Sequence, residues 1–199
     1  MTKNASPLNS HEICDIFALI DSVLAVKPRC VLAIDGRCAS GKTTAAAKIA
    51  EKYSARVIHT DDFFLPPAKR TAKRLSEPGG NVDYERFFTE VISHLDSASL
   101  TYGRFDCSKM SISETHTLPL TKLTVIEGAY SMHPYFGDYT DISVFFTCPD
   151  DVRFARIGRR NGEKKLEVFK NKWIPLEEKY FSHFGIPSRC DVVFDTAEE

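Results

Sequence analysis

The run Gly36-Arg37-Cys38-Ala39-Ser40-Gly41-Lys42-Thr43-Thr44 spells G-x-x-x-x-G-K-T directly behind an apolar segment. A triphosphate needs many donors aimed at one concave spot, and a glycine-rich turn feeding a helix N-terminus supplies them through backbone N–H groups. Gly36 and Gly41 permit close approach. Lys42 would reach the β- and γ-phosphates as a point charge, and the Thr43 hydroxyl would complete a Mg²⁺ shell otherwise made of water and phosphate oxygens. All nine residues are candidate nucleotide contacts.

Such a cradle serves GTPases, ATP-driven motors and small-molecule kinases alike, and the acidic residues elsewhere separate them. No D-x-x-G occurs in the chain, and the nearest approach to N-K-x-D, Asn171-Lys172-Trp173-Ile174, lacks the aspartate, so the signals of a GTPase are missing. A motor ends a strand in paired acids, one for Mg²⁺ and one to activate water. Here Leu123-Thr124-Val125-Ile126 ends in Glu127-Gly128, a single carboxylate that suits a metal but has no partner to prime water. A second acidic site, Asp61-Asp62, follows another apolar run. A carboxylate there can take the proton from a substrate hydroxyl while the cradle holds the γ-phosphate in line. Adjacent acids point in different directions, so at most one is the base; capping or metal binding is the other reading of both.

These groups need elements that bring them together. Ile13, Phe17, Ile20 and Leu24 recur at helical spacing behind Ser10, a candidate cap, which predicts an N-terminal helical extension over residues 1–28. Cys30–Ile34 reads as a buried strand, Gly41–Tyr53 as a helix and Arg56–His59 as a second strand, a βαβ opening that favours a parallel sheet. Further strands are expected at Leu123–Ile126, Ile142–Thr147 and Asp191–Asp195. The expectation is an α/β fold of three layers with a mainly parallel sheet of about five strands. Residues 61–118 read as a substrate-side insertion, with a helix at Phe87, Val91, Ile92 and Leu95 and a small hairpin over Leu100–Leu118. Val152–Arg160 and Leu166–Phe184 read as helices, the second interrupted or kinked at Pro175, and residues 151–170 as a lid.

At 199 residues the chain suits one α/β domain, and its net charge of −1 supplies no global field for nucleic acid or an anionic membrane. The partner expected is a small molecule. Six cysteines without a C-x-x-C pair or a close Cys/His cluster argue against zinc and read as free thiols. No apolar run approaches the roughly 20 residues that span a bilayer, and residues 1–7 carry no signal-peptide pattern, so the expected location is the cytoplasm. The N-terminal helix and the hairpin each offer a surface for a homo-oligomer.

Taken in order, "GRCASGKTT", "HTDDFF", "GGNVDYERF", "VIEGAYS" and "DVRFARIGRR" resemble the P-loop small-molecule kinases of the uridine kinase and phosphoribulokinase type, over about residues 31–194. The resemblance implies a P-loop NTPase fold, ATP and Mg²⁺ as cofactors, and transfer of the γ-phosphate to a hydroxyl. It makes Asp61 the base and Glu127 the acid that helps organise Mg²⁺, with Thr43 and Asp61 beside it. Arg156 and Arg160 share a helix face and suit a lid that closes over the phosphates. The family's Arg-Asp stands here as Arg160-Asn161, a departure from its pattern.

For the acceptor, Asp83 stands where nucleoside kinases of this type use an aspartate on ribose hydroxyls, and N-capping of the next helix is the competing role. Arg86 and Tyr102 are further substrate candidates, Tyr102 lying with Arg104 and Asp106 in the hairpin. Lys69, Arg70, Lys73 and Arg74 place four cations within six residues. Turned inward, Arg70 and Arg74 would bind an acceptor that already carries a phosphate; turned outward, they are a solvated stretch. A nucleoside or a related ribose- or sugar-containing acceptor is expected. The alternative is a nucleotide-dependent regulatory or binding protein that keeps the fold without a small-molecule acceptor.

Overall fold

The computed structural model describes residues 8–10 and 13–197. In chain order it contains β1 (Leu8–Ser10), α1 (Ile13–Leu24), β2 (Cys30–Gly36), α2 (Lys42–Tyr53), β3 (Arg56–His59), α3 (Ala72–Ser76), α4 (Tyr84–Glu90), β4 (Ser99–Asp106), β5 (Ser111–Pro119), β6 (Leu123–Glu127), β7 (Ile142–Thr147), α5 (Asp150–Asn161), α6 (Glu163–Val168), α7 (Ile174–Phe184), α8 (Ile186–Arg189) and β8 (Val192–Asp195). The main sheet runs β1-β8-β7-β2-β6-β3, and every neighbouring pair is parallel. The five expected strands are all in it.

Alternation along these strands builds the three layers. Ile142, Val144 and Phe146 of β7 pack with Ile16 and Ile20 of α1 and Ala45, Ala46 and Ile49 of α2. Phe145, between them, faces the other side, where it meets Tyr180 and Phe181 of α7 and the cluster containing Phe87 of α4. Helices thus cover both faces, as an all-parallel sheet requires.

Two local expectations change. Residues 1–28 are not helical alone, because Leu8–Ser10 pairs with Val192–Phe194 as an edge strand, and Ser10 ends that strand; residues 11 and 12, where a helix cap would act, lie outside the described residues. A three-residue strand carries no readable period, and the open edge of β8 decides it. The interruption expected at Pro175 falls just before it: Phe169–Trp173 form a π turn between α6 and α7, and Pro175 sits in the first turn of α7.

The hairpin β4–β5 is antiparallel and stands apart from the main sheet. None of the six cysteines forms a disulfide, and Cys14 and Cys107 are exposed. Among the described residues no helix is long and apolar enough to cross a membrane.

Candidate active site

The carboxyl ends of β2, β3 and β6 meet on one side of the sheet. Register puts Glu127 beside both Ile34 and His59, so the end of β6 lies between the phosphate turn and the Asp61 segment. Gly36 is the residue that lets the turn leave the sheet. Its φ is +135°, and a Cβ there would lie 2.1 Å from the Phe146 carbonyl oxygen. Gly41, with φ +91°, starts α2, and the first intrahelical bond runs from Ala45 N–H to the Gly41 carbonyl. Helix geometry leaves the amides of Lys42, Thr43 and Thr44 for an anion.

Two clefts meet at this turn. The first, about 540 Å³, is lined by Ala39 to Thr44 together with Arg156, Arg159 and Arg160. The second, about 330 Å³, takes in Cys38, Lys42, Thr43, Asp61, Glu127, Arg160 and Glu177, with Phe64, Tyr130, Phe169 and Trp173 as its aromatic wall. Lys42, Thr43 and Arg160 line both clefts. Lys42 Nζ now donates to the Gly36 carbonyl at 2.8 Å and the Arg37 carbonyl at 2.7 Å, so the ammonium is held at the turn.

Thr43 Oγ1 lies 3.3 and 3.4 Å from the two Glu127 oxygens. Glu127 is buried and also bonds His59 Nδ1, a contact that raises the imidazole's pKa. Among the described residues no group of three or more His, Cys, Asp or Glu could hold a metal by itself. Thr43 with Glu127 and Asp61 fits an ion that completes its shell with phosphate oxygens and water, as Mg²⁺ does.

Asp61 and Asp62 point apart. Asp61 lines the second cleft; its carboxyl opens toward solvent but protein crowds it, and that desolvation, followed by the charge of Glu127, raises its pKa. Asp62 turns to the hairpin, where it accepts from the Tyr102 hydroxyl at 3.1 Å and pairs with Arg104 at 3.3 Å. Tyr102 lines a neighbouring recess under the hairpin, which shares Thr43, Asp61 and Glu127 with the aromatic cleft.

The lid packs on the cradle through Cys38, Ile157, Leu166 and Ile174. Arg156 donates to the Ala39 carbonyl at 3.3 Å and to Thr196 at 2.9 and 2.8 Å, so it is anchored while facing the phosphate cleft. Arg160 is the arginine common to both clefts, and Asn161, which departs from the family pattern, accepts from its Nε at 2.8 Å. Arg153 of the same helix is buried and pairs with Asp150 and Glu178.

Five candidates lie elsewhere. Asp83 Oδ1 caps α4 by accepting from Arg86 N–H and pairs with Lys69 at 2.8 Å, and Oδ2 lies 3.9 Å from the Arg86 guanidinium. Arg86 stacks on Phe63 at 4.2 Å and bonds Glu90 and the carbonyls of Gly103 and Asp62. Arg74 stacks on Tyr84 at 3.6 Å and is held by Glu85 and the Gly80 and Val82 carbonyls. Arg70 donates to the Leu65 carbonyl. Arg37 turns outward to Glu178 at 3.0 Å and Asp150 at 3.8 Å. Glu85 and Glu90 of α4 and Glu178 of α7 pair with Arg74, Arg86 and Arg37, while Arg70 gives its Nε to a backbone carbonyl; a charge count along the chain does not reveal this.

Sequence reasoning missed three side chains that line or support the clefts. Glu177 of α7 is buried, accepts from the Cys38 N–H at 2.9 Å and is raised to about 7, mainly by desolvation. Asp35, wholly buried, accepts from the N–H groups of Gly36, Tyr130 and Met132 and from the Tyr180 hydroxyl. It holds Tyr130 at φ +77°, a conformation rare for a bulky residue. The third is Asn81, also in the wall of the aromatic cleft. Asp35 had a signal, a lone acid inside an apolar strand, and Asn81 sits inside the quoted run GGNVDYERF.

No protein-family model matches the chain, and no curated protein matches it significantly. Solved structures do. A protein from Bacillus stearothermophilus described as a possible uridine kinase is 26% identical, with a TM-score of 0.68 over 91% of this chain and 100% of that one. A Saccharomyces cerevisiae protein described as a candidate P-loop kinase with a circular permutation shares the fold at 11% identity and TM-score 0.61, covering 94% of this chain and 98% of its own. An uncharacterized Eubacterium ventriosum protein does so at 16% and 0.50, over 85% and 89%. In its ordered motifs and in its fold alike, this chain resembles the P-loop kinases of the uridine kinase type.

Proposed function

We propose that the protein is an ATP-dependent phosphotransferase that moves the γ-phosphate to a hydroxyl of a small molecule, a nucleoside or another ribose- or sugar-containing acceptor. One observation carries this reading: Lys42, Thr43 and Arg160 line both the phosphate cleft and the cavity that contains Asp61. A phosphate held in the first and a hydroxyl held in the second share the same cationic boundary.

The chain's own groups divide the work. The turn amides and α2 hold the anionic phosphates, and Lys42, released from its loop carbonyls, follows the charge on the outer phosphates. Asp61 accepts the proton of the acceptor hydroxyl, and its raised pKa makes it a better base than an ordinary carboxylate. Arg156 and Arg160 spread the negative charge that develops on transfer, and the lid's contact with Cys38 keeps them over the site. Mg²⁺ bound through Thr43 and Glu127 would neutralise phosphate charge. Incubation with ATP and Mg²⁺ against nucleosides, vitamins and sugar phosphates tests the reading. A phosphorylated acceptor is expected; ATP binding without product from any of them counts against it.

A further inference from the structure

Lys42 and Glu177 hold opposite edges of one peptide plane. The Arg37 carbonyl accepts from Lys42 Nζ at 2.7 Å, and the Cys38 N–H that follows it donates to Glu177 Oε2 at 2.9 Å. A trans peptide is rigid and points these two groups in opposite directions, so the ammonium and the carboxylate bear on the same plane from its two sides. Both residues are only 8% exposed, and a carboxylate acceptor makes the Cys38 bond stronger than one between neutral groups.

Glu177 also belongs to the wall of the other cleft. It stands four residues after Trp173, and both line the cavity that contains Asp61, while neither lines the phosphate cleft. Phe64 faces Trp173 at 6.0 Å, so a shift of α7 changes the neighbours of the indole. The far half of α7 is fixed, with Tyr180 bonded to Asp35 and Phe181 packed on Phe145. Its near end follows the π turn Phe169–Trp173, a form found mostly at functional sites. Glu178 adds a pair with Arg37 at 3.0 Å through a long, half-exposed side chain, whereas Glu177 grips the backbone of the turn itself.

We propose that Glu177 is a positioning residue that couples the two clefts: when Lys42 turns from the Arg37 carbonyl to a phosphate, the Arg37–Cys38 peptide shifts, and Glu177 carries that shift to Trp173 and the acceptor cavity. A change around Trp173 on nucleotide binding has to pass through the protein. The competing route runs from Arg160, which lines both clefts, through α6; but Arg160 is exposed and its Nε is given to Asn161. The coupling rests on the phosphotransfer reading for the roles of Lys42 and the cavity, and its test reads binding.

Trp173 is the chain's one tryptophan, so its emission reports on the wall. The full chain would be titrated with a non-hydrolysable ATP analogue and Mg²⁺, with emission followed beside calorimetry. The parent should show a saturable emission change. Glu177→Gln keeps an oxygen for the Cys38 N–H and should keep the change. Glu177→Ala should lose it and bind the analogue about fivefold or more weaker than Glu177→Gln does. Both variants lack the charge, so their difference belongs to the bond. Glu177→Asp is one methylene shorter and should also lose the change, which gives the same reading if the alanine variant fails to fold. A role in stability alone would lower the denaturant midpoint and leave the emission change of the folded chain intact. Analogue binding with a silent Trp173 in the parent, a full change in the alanine or aspartate variant, or a glutamine variant that behaves as alanine would overturn the proposal. No binding of the analogue would overturn it together with the phosphotransfer reading. The expected pattern in a chain that phosphorylates no acceptor would support the coupling and remove that reading alone.

Discussion

Two carboxylates show how position sets chemistry at the scale of single residues. Asp61 and Asp62 are neighbours, yet one lines the cleft shared with Lys42 and the other is fixed by Tyr102 and Arg104. Asp61→Asn should lower kcat by about 10²–10⁴ with ATP affinity retained, measured by steady-state transfer beside nucleotide binding; full activity in the variant would remove Asp61 as base. Since a base works deprotonated and this carboxyl is raised, the acid limb of the rate profile should lie above the ordinary carboxylate range and vanish in the variant. Glu177 gives a stability prediction. Raised from 4.5 to about 7, the folded chain binds its proton more tightly than the unfolded chain. Its contribution is therefore present below the unfolded value and lost as pH rises toward the folded one. Glu177→Gln keeps an oxygen for Cys38 N–H and should not lose this stability. Its advantage over the parent should grow by up to about 1.4 kcal/mol per pH unit across that window, and denaturant midpoints at several pH values would show it. A flat difference would contradict it.

Strand ends, not helices, set the spacing of the site at the scale of elements. Thr60, at the end of β3, donates to the Ala129 carbonyl, and the space it fills is the one Gly128 leaves empty: a Cβ there would lie 2.1 Å from Thr60 Oγ1. Gly128 also has φ +125°, a conformation L side chains rarely adopt. Gly128→Ala should cost about 1–3 kcal/mol from the backbone and about as much again from overpacking, and it should push Glu127 and the Asp61 segment apart. A lowered urea midpoint with lost transfer is expected, and Thr60→Ala in the same chain should restore part of the stability. A variant as stable as the parent would show that the two strand ends are not in such close contact. The Gly after Glu127 was legible in the sequence; that Thr60 fills the space beside it was not, because β3 and β6 are more than sixty residues apart along the chain.

Asp35 ties distant parts together at the scale of the whole molecule. Its carboxylate joins β2 to the segment after β6 and to α7, through bonds to Gly36, Tyr130, Met132 and Tyr180 of 2.7 to 3.1 Å. Asp35→Ala should leave those donors unpaired at about 1–3 kcal/mol each, more than relief of the buried charge returns. Loss of the cooperative transition in Trp173 fluorescence is the expected result, with Tyr180→Phe costing only about 0.5–1.5 kcal/mol. A stable Asp35→Ala chain would remove this residue as the tie.

The sequence by itself determined whatever depends on near neighbours. The period of the strands, the glycine turn behind β2 and the spacing of Arg156 and Arg160 on one helix face are properties of short segments, and they were sufficient to indicate a parallel three-layer fold and a phosphate cradle. Only the tertiary structure decided which charged groups face the clefts. Asp83 pairs with Lys69, Arg74 with Glu85 and Arg86 with Glu90, so their charges are spent on holding the fold. Glu177 carries no motif and reaches the site because α7 folds against it. Local patterns fix the backbone's course; burial and pairing between distant segments decide which side chains are left over to bind.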